Sequence, residues 1–415
     1  EHIIESIASA SAEETDYSII SERLHFYHKN PINLNKTNKE QLQELFLLNP
    51  IQISQLLNYR ATNGPFINVL ELQAIESIDP STLHRLAPFV TTGASQLFKN
   101  QSAQQLVSRA NHDILVRYKR FLEPQKGFNS SKKASSSYLG CPNHLLAHYK
   151  FNTQNIVSAS VSMEKDAGEQ FFAGKNQMGF DFYSANITIN DWGKVKKLIV
   201  GDYALQFGEG LTLWSGLSFG KGADITTIAK HSSSIKPHTS FNEHSFFRGI
   251  ATTIGHKSFS ASPFISYKPI DASLHNEQIN ALPLSGLHRT PSEVNNKNSS
   301  NQFLFGSSVQ YANKLFNAGI TAYHSYYTHA FKTNHLPYNR FKFSGNRLTN
   351  LGINYNYTLH NTYLFGEIAH STGSGYAFIN GLMSALSPQV SLSLLHRSYQ
   401  KNYHSVFFLL NNPRL

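Results

Sequence analysis

Two rhythms of apolar residues divide the chain. Up to about residue 90 they recur at helical spacing, and beyond about residue 95 they alternate with polar residues. Glu5 to Ala12 and Tyr17 to Tyr27 read as helices. Thr37 is placed to cap a helix through Leu42, Leu45, Phe46 and Leu48, which breaks at Asn49-Pro50. A second helix runs through Ile53, Leu56, Leu57 and Tyr59 to a turn at Asn63-Gly64-Pro65-Phe66. Val69 to Ile75 predicts a third helix, Ser77-Ile78-Asp79-Pro80 a break, and Ser81 to Leu86 a fourth. The pattern of helix, tight hairpin, helix therefore occurs twice.

Period two takes over afterwards. Val157, Ala159, Val161 and Met163 alternate with serines, and Tyr183, Ala185, Ile187 and Ile189 with Ser184, Asn186, Thr188 and Asn190. Phe316 to Ser325 and Val390 to Leu394 behave alike, and Leu351, Ile353, Tyr355, Tyr357 and Leu359 oppose Gly352, Asn354, Asn356 and Thr358. Segments of roughly ten residues with one apolar and one uncharged polar face suit strands between lipid and a watery lumen. Such strands must satisfy every backbone group within a closed sheet. Polar, poorly periodic stretches around 124–142, 229–243, 271–301 and 328–347 predict long loops, with short turns at the opposite end. A soluble β-sandwich or solenoid would alternate too, but with more Lys and Glu on its outward face.

Composition narrows this further. Charged residues are 15% of the 415, while Phe and Tyr number 29 and 20. A soluble surface needs more charge than that; about 25% is usual. No apolar run reaches the roughly 20 residues of a membrane-crossing helix. Glu1 begins without a charged and then apolar leader, the expectation for a chain whose signal peptide has been removed. Cys141 is the one cysteine, which excludes a disulfide framework within the chain. Residues 1–90 hold 11 acids against 6 Lys or Arg, so the net charge of +10 belongs to the β-rich part.

The helical repeat, from Ile32-Asn33-Leu34-Asn35 through Tyr59-Arg60, Asn63-Gly64-Pro65-Phe66 and Leu70-Glu71-Leu72 to Leu86-Ala87-Pro88-Phe89-Val90, resembles the double helix-hairpin-helix domain of ComEA-type DNA-uptake proteins. Two later segments, Gly201 to Gly216 and Gly286 to Glu293, resemble stretches of Bacteroidetes helix-hairpin-helix proteins that carry an outer-membrane barrel. The first includes Gly201, Asp202, Gln206, Gly208, Glu209, Gly210 and Trp214. These resemblances imply an α+β chain in two domains: an all-α double helix-hairpin-helix (31–90) within a periplasmic domain of residues 1–95, then an antiparallel transmembrane β-barrel over 105–415. The apolar run Val406 to Leu410 near the last residue lacks an obvious closing aromatic, so the strand count stays open.

Helix-hairpin-helix modules bind nucleic acid where a Gly-x-Gly turn brings backbone N–H groups against a phosphate. The turns here read Leu47-Leu48-Asn49 and Ser77-Ile78-Asp79, without glycine. Lys36, Lys39, Arg60 and Arg85 are the bases available for phosphate, and five acids offset them. The missing glycines and the acidic balance argue for a docking module over a DNA-binding one, although Asn49 could adopt a left-handed turn.

Other constellations are weak. Gly216-Leu217-Ser218-Phe219-Gly220 matches Gly-x-Ser-x-Gly literally but lacks the strand before and the helix after that a nucleophile elbow requires. Asp202 and Glu209 near Lys194, Lys196 and Lys197 suggest an ion-pair network in the lumen. Cys141, His144 and His148 have a spacing that chelates metal on a helix, but on a strand they lie too far apart; His238, His244, His324, His329 and His335 are scattered in loops. The expectation is a non-enzymatic outer-membrane protein without metal or cofactor, with lipid and a periplasmic protein as partners. It would serve as a channel or envelope-machine component; DNA uptake is the alternative, and a Ser218 hydrolase a third.

Overall fold

A computed structural model describes residues 18–93 and 110–406, except 124, 129–135, 154–155, 216–227, 231, 233, 314, 333–336 and 388–389. The expected helix at Glu5 to Ala12, the Ser218 motif and the run after Val406 lie outside the described residues.

The helical region comprises α1 (Ser18–Lys29), α2 (Lys39–Gln43), α3 (Pro50–Asn63), a 3-10 turn at Val69–Ala74, and α4 (Pro80–Leu86). Strands β1 (Ile32–Asn33) and β2 (Val90–Thr91) pair in parallel and tie its ends together. Leu34, Leu42, Leu45, Ile53, Leu56, Leu72 and Leu86 form the centre of its core. Asn35 spans the middle, donating to the Phe66 carbonyl at 2.9 Å and accepting from the Phe66 N–H at 2.7 Å. Two expectations need correction. Asn38, not Thr37, caps α2 through the Gln41 N–H, while Thr37 is buried and its carbonyl accepts from Arg60. The left-handed turn residue is Phe46, at φ +57°, whereas Asn49 is extended and caps α3.

The remainder is a 16-stranded sheet, antiparallel except where a short hairpin strand joins it in parallel. Its long strands are β3 (Asn111–Arg120), β4 (Asn143–Thr153), β5 (Val157–Lys165), β6 (Phe182–Trp192), β7 (Val195–Gln206), β9 (Phe247–His256), β10 (Phe259–Ile270), β13 (Ser300–Ala312), β14 (Phe316–Phe331), β15 (Gly345–Leu359), β16 (Thr362–Ser371), β17 (Tyr376–Ser387) and β18 (Val390–Tyr399). They neighbour one another in this order, and β3 and β18 are the two edges. Short strands β8 (Ser234–Pro237), β11 (Ser273–His275) and β12 (Gln278–Ala281) attach beside this path, and a capped helix, α5 (Pro291–Asn296), sits in the loop before β13. Among the described residues no pairing joins β3 to β18, so the closed barrel expected from the sequence is not itself observed. The connections at one end are two or three residues long, and those at the other are mostly long. The stretches expected as bare loops hold β8, β11, β12 and α5.

Burial in the sheet is inverted. The outward positions are apolar, including Ile114 at 76% exposure, Ile187 at 52%, Ile320 and Ile353 at 53% and Leu394 at 60%. The opposite positions are polar and buried, among them Ser160, Ser162, Asn186, Thr188, Gln302, Ser308, Thr321, Ser325, Asn350 and Asn354. The polar face is therefore the inside.

Candidate functional site: the filled interior of the sheet

The interior is occupied by the chain itself. At Gly201 β7 stops pairing with β6 and soon pairs with β8 instead. Gly201 has φ +105°, and a Cβ there would sit 2.2 Å from the Ala185 carbonyl oxygen, so only glycine allows the departure. The chain then doubles back: Ser215 donates its N–H to Leu205 O at 2.7 Å, and Gln206 pairs with Trp214. Ile199, Tyr203, Leu205, Phe207, Leu213 and Ile235 form an apolar cluster with Phe247, Ala251, Phe264, Leu304, Tyr323 and Leu348 of the wall.

The tip of this plug reaches β16. Glu367 accepts from the backbone N–H of Glu209 (2.7 Å), Leu211 (3.1 Å) and Thr212 (2.8 Å) and from the Thr212 hydroxyl (2.6 Å). Four donors on one buried carboxylate offset its desolvation. A Cβ at Gly208 would lie 2.7 Å from Glu367, so the close approach requires glycine. The segment after β18 also enters: Tyr403 donates to Leu211 O at 2.8 Å, and Asn350 to His404 O at 2.7 Å.

The sequence-named residues of this segment find separate partners. Asp202 forms a bidentate pair with Arg248 at 2.7 and 2.9 Å. Glu209 accepts from the Lys230 N–H at 2.9 Å, and Lys230 lies 4.8 Å from the centre of the Trp214 ring. Gln206 donates to Ser215 O. The expected network of Asp202 and Glu209 with Lys194, Lys196 and Lys197 does not form, because those lysines belong to the short-turn end of β7 while both acids are carried past Gly201.

The helical region docks at that short-turn end, first hairpin inward. Ile51 clusters with Tyr363, Phe365, Met383 and Ala229. Gln55 donates to Asn361 at 2.8 Å, Lys39 to Asn356 at 3.4 Å, and Lys236 lies 5.9 Å from the Phe46 ring centre. Leu48 is core, Leu47 packs against it, and the Asn49 side chain is committed to the Gln52 N–H. In the second hairpin Ile78 is core, the Ser77 carbonyl accepts from Gln52, and Asp79 caps α4 through Thr82 and accepts from the Ser81 and Thr82 hydroxyls. Arg60 is bound to Leu34 O and Thr37 O, and Arg85 reaches the Thr82 hydroxyl at 3.4 Å. Of the turn N–H groups, that of Asn49 donates to Gln52 Oε1 at 2.9 Å and that of Ile78 to Ile75 O at 2.9 Å.

At the long-loop end a buried charged cluster ties the loops together beside a cavity of about 740 Å³. His288 meets Asp181 through Nδ1 at 2.5 Å and Asp271 through Nε2 at 2.8 Å, and Lys297 reaches Asp181 at 2.8 Å. Burial opposes the imidazolium, but bonds to the two carboxylates outweigh it and push His288 up to about 10. Asp271 is held below its usual range; burial works against this, and the His288 bond prevails. Burial, then the charge of Asp181, pushes Glu243 up to about 9. Sequence reading singled out the segment around His288 but missed Asp181, Asp271 and Lys297, which meet only through folding. It missed Glu367 as well; a lone acid on the same strand face as Tyr363, Phe365 and Ala369 was the available signal. Cys141 and His148 do not join His144, because His148 bonds Ser162 and Cys141 is exposed.

A family model described as helix-hairpin-helix motif matches residues 28–91. No curated protein matches the chain. Among solved structures, a Rhodopseudomonas blastica porin triple mutant is 13% identical over 62% of this chain and 86% of its own, at a TM-score of 0.21. The FrpB iron transporter from Neisseria meningitidis is 11% identical over 70% of this chain and 58% of its own, at a TM-score of 0.24. At these scores the likeness carries no weight for fold or function.

Proposed function

We propose that this chain is a non-enzymatic outer-membrane β-barrel protein, a self-plugged channel in an envelope machine. Its helical domain (1–95) sits on the periplasmic side as the docking station for a periplasmic protein, and 105–415 form the barrel. The observation that carries the reading is the inverted burial: an apolar exterior around a polar interior matches lipid outside and water or protein inside. The long strands, 9 to 16 residues each, are long enough to cross a bilayer when tilted. Closure is supported by Glu367 of β16 gripping a plug that leaves the wall at β7, since strands so far apart in the sheet meet only if it curls around its contents. Both edges, β3 and β18, run from the short-turn end toward the long loops. A closed wall therefore joins them in parallel or takes one oppositely directed strand between them.

Ile51 of the helical domain and Ala229 of the inner segment share one apolar cluster with Tyr363, Phe365 and Met383, which gives a partner pulling on that domain a route to the plug. The test is conductance of the full chain in planar bilayers. Wild type is expected to be closed or nearly so, and Glu367→Ala, which strands four donors, to open frequent large conductances. A protein that folds and stays monodisperse without detergent would overturn the membrane reading. A variant as closed as wild type would overturn the plug. DNA uptake is less well supported, because the first hairpin faces the barrel; absence of salt-dependent binding of duplex DNA to the full chain is the expected result.

A further inference from the structure

We propose that the long-loop rim of β4 and β5 holds a divalent first-row transition-metal ion, of the zinc type, on His144, Glu164 and Asp166. Register brings the three together. Leu145 pairs with Lys165 and Leu146 with Glu164, so His144 faces Asp166 across the ladder and Glu164 is its diagonal neighbour on the same face. His144 Nε2 lies 3.0 Å from Glu164 Oε1 and 3.5 Å from Asp166 Oδ1, and all three ligand atoms fall within 4.8 Å of one another. Ligands about 2.1 Å from a tetrahedral ion stand roughly 3.4 Å apart, so the spacing already suits one.

The site is also held in place from behind. Lys165 is fully buried and donates to the carbonyls of Asn143 (2.6 Å) and Asp166 (2.9 Å), clamping the backbone on both sides. The Gly168 N–H donates to Cys141 O at 2.8 Å, and Glu169 accepts from the Asp166 N–H at 2.7 Å. Ligands on paired strands with a braced backbone need little reorganisation to bind.

Charge distinguishes this cluster from the similar group of Glu169, Asp181 and His288. There both imidazole nitrogens meet carboxylates, and Lys297 supplies a further positive charge, so that group is already neutralised. At the rim Glu164 and Asp166 share one imidazole as their ion-pair partner among the described residues, and Lys119 stands opposite His144 on the edge strand without an ion pair to either carboxylate. Two carboxylates, a neutral imidazole and a divalent ion sum to zero, with a fourth position left for water. An imidazole ligand favours zinc or its neighbours over calcium and magnesium.

The test is calorimetric titration of the full, detergent-folded chain with Zn²⁺, then with Ca²⁺ and Mg²⁺ as competitors. One high-affinity Zn²⁺ site is expected, weakened at least tenfold by His144→Ala and by Glu164→Gln. Asp166→Asn, just beyond the strand, alters charge without volume and guards against a folding defect; it should weaken binding while heat-modifiable gel migration stays as in wild type. Zn²⁺ binding unchanged in the well-folded Asp166→Asn and Glu164→Gln variants overturns the proposal, as does displacement of Zn²⁺ by equimolar Ca²⁺.

Discussion

The two halves of the molecule differ in what they expose: the helical region hides its apolar residues in one core, whereas the sheet turns apolar residues outward and buries polar ones beside its apolar clusters. In the helical region Leu34, Leu42, Leu45, Ile53 and Leu56 are sealed inside. In the sheet Ile114, Ile187, Ile320, Ile353 and Leu394 stand on the outside, and Ser300, Ser308, Ser325, Asn350 and Ser371 are sealed in. Leucine and isoleucine have not changed their nature between residue 56 and residue 114; on the proposed membrane reading, the solvent has. A water-facing region gains by hiding apolar area, about 25 cal/mol for each Å². A lipid-facing wall gains nothing by hiding it and must hide its polar groups instead. The sheet therefore uses small uncharged polar side chains, which neighbours can satisfy, as Ser308 and Thr321 do for each other at 2.9 Å.

Four experiments would break or sharpen this contrast. The largest effect belongs to Leu45→Ala, which leaves a cavity in a water-facing core. We expect a loss of about 2–5 kcal/mol in the unfolding of the helical region with the sheet untouched, read by hydrogen exchange. Next is Ile353→Arg, expected to cost about 2–4 kcal/mol in refolding into lipid vesicles, whereas Ile67→Arg on the helical region costs under about 0.5 kcal/mol. Equal costs at the two positions would abolish the contrast.

The loop cluster is third. His288 sits at about 10 in the folded state against an ordinary 6.5, so its stabilisation is complete below about 6.5 and is lost as pH rises toward 10. Asp271, held low, contributes above its ordinary value of 3.8 and loses that contribution in acid. Proteolysis of the long loops should accelerate several-fold between pH 6 and 10; a flat profile refutes the network. Last comes Glu243→Gln. A carboxyl raised to about 9 loses stability as pH climbs from 4.5, so the variant should be more stable than wild type at pH 8 and no different at pH 4. Thermal melts at the two pH values decide it.

Much of the fold was legible because its signals are local. The alternation of Leu351, Ile353, Tyr355 and Leu359 located β15, and Asn49-Pro50 and Asp79-Pro80 marked two helix breaks, whose Asn and Asp prove to cap the helices that follow. Capping competes among near neighbours, which is why Asn38 and not Thr37 serves α2. The Gly201 to Trp214 segment stood out by its resemblance, yet its use as a plug did not show, since nothing near it in sequence names Glu367 as its anchor.

The sequence alone determined which residues prefer which face, where the period changes from helix to strand, and that the hairpins lack the glycines of a phosphate site. Those are properties of a residue and its near neighbours. Only the tertiary structure decided that the polar face is filled by the chain itself, that the first hairpin is pressed against the sheet, and that His288 stands between Asp181 and Asp271. These contacts join positions from 17 to 306 residues apart, and the gain from them exists only after the chain has bent to bring them within reach.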